Sequence, residues 1–381
     1  MRIAVVAACP YPVPQGSQVL IRDTACLLRD RGHDVQLFTY GYGIGDCPAE
    51  LTVRGAGSKR GARRTKAGPS LAKPLQDYQL LRTLKDALSE ESFDCLYAHN
   101  YEGLAIALAS GHRPIVYHAH NAMADELPHY FPVDHIPRVF GTRLDCMLPK
   151  GADVVIAPHA RLADYLVECG CARDRISVIP PSAERIAESS NEEFQDIAPV
   201  LYTGNLDAYQ NLPLLEAAIA HVRRSEPELE CLIATSESAC SIAGATHVHT
   251  PDYDSLRSVL SGDVVVACPR TSWSGYPIKL LNAMSAGKAI VACESAAYPL
   301  RDGVNGRVVA DGEAEAFGEA LLELATDSAL RSRLGVAAQD TIRREHSART
   351  IGAAIESVVA TAQGEHSVVR ARTNPLPKER E

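Results

Sequence analysis

Lys279 stands one residue inside the start of an expected helix that follows Gly275, Tyr276 and Pro277. Unpaired backbone N–H groups at such a start, with a lysine beside them, form a seat for a phosphate. Asn282, three residues on, lies on the same face as Lys279. Two histidine–asparagine pairs mark the ends of apolar, strand-like runs: His99-Asn100 after Phe93–Ala98, and His120-Asn121 after Ile115–Ala119. Open parallel sheets bind ligands outside the carboxyl ends of their strands, so both pairs point at one crevice. His118 alternates with His120 and is expected to face the opposite side of the sheet. Each feature also has a plain reading, as an ordinary loop-helix-strand unit or as structural histidines.

The elements that must hold these residues follow a strand-helix-strand rhythm. Ile3–Ala8 is an apolar run, Ser17–Arg31 an amphipathic helix closed by Gly32, and Val35–Thr39 the next strand, the order of a parallel Rossmann-type sheet. A helix over Leu75–Leu88 and strands over Phe93–Ala98, Ile115–Ala119, Asp153–Ala157 and Ile176–Ile179 continue the pattern. Polar, acidic residues from Ser182 to Ile197 read as a linker, and Val200–Thr203 starts the pattern afresh. The expected division is a first domain over 1–182, a linker over 183–198, a second domain over 199–363 and a disordered tail over 364–381. Gly41, Gly43 and Gly45 follow the second strand with the wrong spacing for a dinucleotide fingerprint.

At 381 residues and 46% hydrophobic, the chain has material for two cores. A net charge of −9 argues against broad nucleic-acid binding, and no nucleic-acid partner is expected. The eleven cysteines are scattered apart from Cys169 and Cys171, which lack the second pair a zinc site needs, so no metal is expected. With no leader before the first strand and no apolar run of about 18 residues, the expectation is a cytoplasmic protein with reduced thiols, able to lie at the inner face of a membrane. Residues 54–73 form the one strongly basic segment, with Arg54, Lys59, Arg60, Arg63, Arg64, Lys66 and Lys73. It reads either as a solvated loop or as contact with an anionic acceptor, phosphate or membrane surface.

Pro14-Gln-Gly-Ser-Gln18, Ile179-Pro-Pro181, Tyr202-Thr-Gly-Asn-Leu206, Gly275-Tyr-Pro-Ile-Lys-Leu-Leu-Asn-Ala-Met-Ser-Ala-Gly-Lys288 and Arg301-Asp-Gly-Val-Asn-Gly306 occur in an order that resembles the retaining glycosyltransferases of family 4. The resemblance covers roughly residues 1–360. It implies an α/β GT-B fold, two Rossmann-like domains with parallel sheets facing across a cleft, and metal-independent transfer of a hexosyl unit with retention of configuration. The donor would be a nucleotide sugar, uridine- or guanosine-linked, used as substrate with no cofactor. The acceptor would be a glycan, a lipid-linked intermediate or a small natural product such as an aminocyclitol.

Carried onto this chain, the resemblance implies a catalytic role for His120, by hydrogen bonding and charge stabilisation. It implies donor contacts from Gly16, Ser17, Gly204, Asn205, Arg270, Gly275, Tyr276, Lys279 and Asn282, with His99, Asn100 and Asn121 on the acceptor side. Four positions depart from the family pattern. Ser274 and Asn282 stand where two glutamates are usual, and Asn205 and Gln210 where an arginine and a lysine are usual. With those two cations absent, Arg270 and Lys279 are expected to meet the diphosphate charge. The departures also leave open a degenerate nucleotide-sugar-binding protein, or an epimerase or hydrolase on the same fold.

Overall fold

The computed structural model describes residues 1–13, 16–44, 47–57, 68, 70–183, 196–238 and 242–373, with side chains described through Gly364. Pro14, Gln15, most of the expected linker, the cations Lys59, Arg60, Arg63, Arg64 and Lys66 of the basic segment, and residues 374–381 lie outside them. The chain divides into two compact units, Met1–Pro180 with Ile351–Glu381, and Pro181–Thr350.

The first unit runs β1 (Arg2–Pro10), α1 (Gly16–Asp30), β2 (Asp34–Tyr40), β3 (Thr52–Ala56), α2 (Lys73–Glu90), β4 (Cys95–His99), α3 (Asn100–Ser110) and β5 (Ile115–His118). It continues with α4 (Met123–Glu126), α5 (His135–Met147), β6 (Val154–Ala157), α6 (Ala160–Glu168) and β7 (Ile176–Val178). Its seven strands are parallel in the order β3-β2-β1-β4-β5-β6-β7. The order reverses between β1 and β4, and the crevice outside their carboxyl ends is the place where such sheets hold ligands. Helices cover both faces, so β1 and β4 read as continuous apolar runs without alternation, buried throughout Ile3–Ala8 and Cys95–His99.

The second unit runs β8 (Val200–Thr203), α7 (Leu212–Val222), β9 (Cys231–Thr235), β10 (Thr246–His249), α8 (Tyr253–Leu260), β11 (Val265–Cys268), α9 (Ile278–Ser285) and β12 (Ala289–Cys293). After β13 (Arg307–Val309) come α10 (Ala314–Thr326), α11 (Ser328–Glu345) and α12 (Ala348–Thr373). Six parallel strands lie in the order β10-β9-β8-β11-β12-β13, with the reversal between β8 and β11. Asp252 caps α8 by accepting from the Ser255 amide at 2.8 Å.

The C-terminal helix departs from the expected division. Ile351, Ile355, Val358, Val359 and Ala362 recur at helical spacing and share the first unit's core with Ile3, Val5 and Leu28. Arg31, just after α1, adds an ion pair to Glu356 at 2.6 Å. The helix from Ile351 onward therefore belongs to the first unit. The expected disordered tail also begins too early, because the helix continues to Thr373.

In the second unit α11 lies directly on the turn that closes α9. Gly287 takes a left-handed conformation (φ 69°), and a Cβ added at Gly335 would stand 1.9 Å from its carbonyl oxygen. Backbone on both sides leaves no flexible atom to yield. Gly335→Ala is expected to lower unfolding free energy by about 1–3 kcal/mol, read from urea transitions; a change below about 0.5 kcal/mol would mean that the two backbones separate freely.

Candidate active site

In the second unit the loop after β8 and the start of α9 converge at the β8/β11 reversal. Gly204 has φ 125°, and a Cβ there would lie 3.9 Å from the Lys279 Nζ. Lys279 donates to Gln210 Oε1 and, at 3.3 Å, to the Tyr202 hydroxyl, with its ammonium 4.3 Å above the Tyr202 ring. Burial pushes its pKa down to about 8, and the charge of Arg270 adds to the fall. Gln210 Nε2 in turn donates to Asn205 Oδ1 at 2.7 Å. Arg270, just after β11, is held by the Ser272 carbonyl at 3.1 Å and hydroxyl at 3.2 Å, and stacks 5.2 Å from the Tyr209 ring. Asn211, in a left-handed conformation, ties this loop to the end of β11 through the Pro269 carbonyl at 3.2 Å. Among the described residues no carboxylate pairs with Lys279, and its ammonium is met by two neutral oxygens and a ring.

In the first unit three imidazoles cluster at the ends of β4 and β5. His99 and His118 are register partners across the strand pair, and their rings stack with centroids 5.0 Å apart. His99 Nδ1 and His120 Nε2 share a hydrogen bond of 2.9 Å, and His118 Nδ1 meets the Tyr97 hydroxyl at 2.9 Å. The His118 and His120 rings are 5.8 Å apart, so the two lie on the same side. The expectation of opposite faces is wrong, because residues two apart in an extended chain point the same way. Burial lowers all three pKa values, that of His120 to about 4. His120 is therefore neutral near pH 7, a hydrogen-bonding group without charge of its own. Its Nδ1 and the neighbouring Asn121 Oδ1 are buried without a partner among the described residues.

Unfolding would free these imidazoles to bind protons near the ordinary value of 6.5, while folded His120 stays neutral to about 4. The unfolded chain then holds more protons below pH 6.5, so the first unit should lose stability as pH falls from 6.5 toward 4. The protection of the β4 and β5 amides against hydrogen exchange, taken relative to the intrinsic rate at each pH, should fall between pH 7 and pH 5. Protection that stays constant would show the trio already protonated in the fold.

Two family models match. One described as Glycosyltransferase Family 4 covers residues 14–184, and one described as Glycosyl transferases group 1 covers residues 198–327. The chain belongs to the family 4, group 1 glycosyltransferases. It is 24% identical to a phosphatidyl-myo-inositol mannosyltransferase of Mycolicibacterium smegmatis over 96% of this chain and 95% of that one. Among solved structures, a sucrose-phosphate synthase of Thermosynechococcus elongatus superposes with a TM-score of 0.78 at 13% identity, covering 94% of this chain and 98% of that one. HepE of Anabaena, in complex with UDP-glucose, superposes with a TM-score of 0.69 at 17% identity, covering 95% and 100%. The glycosyltransferase has the GT-B fold of these structures, built from the two doubly wound parallel sheets.

Within this glycosyltransferase the predicted donor residues do not all stand together. Gly204, Asn205, Arg270 and Lys279 meet at one sheet reversal, but the Asn205 side chain is fully used by Asp207, Tyr209 and Gln210. Tyr276 turns its hydroxyl toward His346 Nε2 at 3.4 Å, away from the Lys279 network. Gly275 is buried, and Asn282 is half-buried with no side-chain hydrogen bond among the described residues. Gly16 and Ser17 open α1 and are exposed. His99, His120 and Asn121 cluster, whereas Asn100 (φ 60°) spends its carbonyl on the Tyr101 amide at 2.9 Å. Of the basic segment, Arg54 pairs with Glu91, and Lys73 with Glu102 at 2.7 Å. Sequence reasoning missed Tyr202, which holds Lys279, and Glu126, which accepts from Asn121 and from Tyr130 at 2.9 Å. A tyrosine on a buried strand beside a glycine loop was the available signal for the first; nothing in the sequence marked the second.

Proposed function

We propose that the protein transfers a hexosyl unit from a uridine- or guanosine-linked nucleotide sugar to a hydroxyl of a glycan, lipid-linked or small-molecule acceptor, with retention of configuration and without a metal or cofactor. The observation that carries this reading is Lys279, held by Gln210 and Tyr202 against the Gly204 loop and seconded by Arg270. Its ammonium stabilises the departing diphosphate, whereas the Ile278 and Leu280 amides in the first turn of α9 already donate to the Tyr276 and Pro277 carbonyls. Arg270 adds a second cation, and Asn282 offers its amide to a donor hydroxyl. His120 Nδ1 and Asn121 Oδ1 offer hydrogen bonds on the acceptor side. The incoming hydroxyl approaches on the leaving-group face and gives its proton to the departing phosphate oxygen, so no side-chain base is required. Two related proteins lend support, one named as a mannosyltransferase of phosphatidyl-myo-inositol and one solved with UDP-glucose.

The test is a melting curve of the purified protein against UDP, GDP, ADP and their hexose conjugates, followed by assays for transfer and hydrolysis. Uridine or guanosine diphosphates should raise the melting temperature in a concentration-dependent way. A panel in which no nucleotide stabilises the protein sinks the reading. Stabilisation with hydrolysis and no transfer to any hydroxyl would favour a hydrolase on the same fold.

A further inference from the structure

Helix α5 is oriented against the usual rule for a surface helix. Its buried positions are Pro137, Gly141 and Asp145, spaced four apart. A Cβ at Gly141 would come within 2.4 Å of the Met123 backbone, and Asp145 accepts the Met123 and Ala124 amides at 2.9 and 3.0 Å, so the helix is fastened along this narrow polar line. Its apolar side chains point out instead. Ile136 is 72% exposed, Phe140 57% and Met147 71%, with Val139 also exposed. At about 100° per residue these four fall within an arc of roughly 100°. Phe131 and Val133, just before the helix, extend the exposed apolar surface. Scattered exposed apolar residues are ordinary, but six within seventeen positions, on one outward arc and the turn leading into it, form a patch that calls for a partner.

The charges around the patch are positive. From Phe131 to Lys150 the exposed charged residues are Arg138, Arg143 and Lys150 against Asp134. Asp134 is 3.7 Å from Arg138, whereas Arg143 and Lys150 pair with no carboxylate among the described residues. Arg143 falls in the middle of the apolar arc. A second copy of the chain meeting this face about a two-fold axis would bring guanidinium against guanidinium inside an apolar contact, a costly arrangement. A lipid surface accommodates the same pattern. The apolar side chains enter the acyl boundary while the long arginine and lysine stems carry their charges up to the phosphates.

We infer that the outward face of α5, with Phe131 and Val133 before it, docks the protein onto an anionic lipid surface. The inference stands on this face alone and does not depend on the donor or acceptor assigned above. It is also distinct from the basic segment 54–73, whose described ends are already in ion pairs. With a net charge of −9 the protein as a whole is repelled by such a surface, so docking requires a local face of this kind.

The experiment is co-sedimentation of the full chain with vesicles of phosphatidylcholine alone and of phosphatidylcholine mixed with phosphatidylglycerol. The expected result is binding to the mixed vesicles, at least about tenfold weaker binding to the neutral ones, and a decline with added salt. Joint replacement Ile136→Ser and Phe140→Ser removes apolar area without adding negative charge and should weaken binding at least about tenfold. Arg143→Gln should weaken it less and flatten the salt dependence. All three sites are exposed, so the melting temperature should not change, and it is measured alongside. Failure of the wild type to bind mixed vesicles overturns the inference. So does binding that survives the double replacement, which would assign docking to residues 54–73. A wild-type dimer that the double replacement disperses, without vesicle binding, would make the face an interface between copies and overturn it equally.

Discussion

Lys279→Ala is expected to lower kcat/KM for sugar transfer at least about tenfold, a loss of about 1.4 kcal/mol in transition-state stabilisation. The ammonium is half-buried, so its interaction with a leaving diphosphate is little screened, and hydrogen bonds to charged groups contribute roughly 1.5–3 kcal/mol. Lys279→Arg should restore only part of the rate. The ammonium sits 4.3 Å above the Tyr202 ring and close beside Gly204, and a planar guanidinium cannot keep that position without displacing one of them. The pH dependence has a definite sign. With a pKa of about 8, the free enzyme loses the Lys279 charge as pH rises through 8, so kcat/KM should fall on the alkaline side there. Bound diphosphate favours the ammonium, so the corresponding limb in kcat should lie at higher pH. Arg270→Ala should also slow transfer at least about tenfold, and should move the alkaline limb to higher pH, because the Arg270 charge no longer helps to hold the Lys279 pKa down. Steady-state rates for either variant within twofold of wild type would show that the diphosphate charge is met elsewhere.

Arg331→Ala is expected to lower the stability of the second unit by about 3–5 kcal/mol. Arg331 and Asp263 are both nearly fully buried and form a two-pronged pair, Nε to Oδ1 at 3.2 Å and Nη2 to Oδ2 at 2.8 Å. The remaining Nη1 donates to the Leu324 and Ala325 carbonyls at 3.0 and 2.6 Å. One guanidinium thus joins the residue leading into β11, the end of α10 and the body of α11. Truncation strands the Asp263 carboxylate and takes a donor from two carbonyls, of which Ala325 keeps the Ala198 amide at 2.9 Å. Replacing both partners, Arg331→Met with Asp263→Leu, should recover much of the loss, because the penalty lies in the unpaired charge more than in the pair's net worth. Trp273, the one tryptophan of the chain, lies in the second unit, so urea transitions followed by its fluorescence report the right unit. A single-variant loss below about 1 kcal/mol would mean that solvent reaches the pair.

Most strands were legible because a parallel strand covered on both faces is apolar throughout, as in Ile3–Ala8 and Ala289–Ala292, whereas the edge strand β3, with only Ala56 buried, was not. Periodicity tells which face of a helix is buried but not what covers it. The spacing of Ile351, Ile355, Val358 and Val359 suits a helix with one buried face, but it does not tell that the first unit supplies the covering core. Helix α5 was illegible for the opposite reason. Its buried line contains a proline, a glycine and an aspartate, so the pattern that usually marks a core points outward there. At the site, Lys279 and Arg270 could be singled out as cations near sheet ends. Their placement against Gln210, Tyr202 and Tyr209 could not, because those partners lie about 60 to 80 positions away in the chain. The histidines were found but their facing was misjudged, and their buried state depends on neighbours that no local pattern contains.

The second unit is continuous from Pro181 to Thr350, whereas the first is completed by residues from Ile351 onward. Biosynthesis therefore meets the two in reverse. Domains commonly fold in the order of synthesis, N-terminal first. Here the N-terminal sheet must wait, with the apolar surface meant for Ile351, Ile355 and Val359 still open, until the whole second unit has left the ribosome. A nascent chain arrested after Thr350 should show a protease-resistant second unit beside a first unit that is still cleaved. Equal resistance of both would mean that the first core closes without its last helix. The interval makes the N-terminal half the natural client of chaperones, although it is made first.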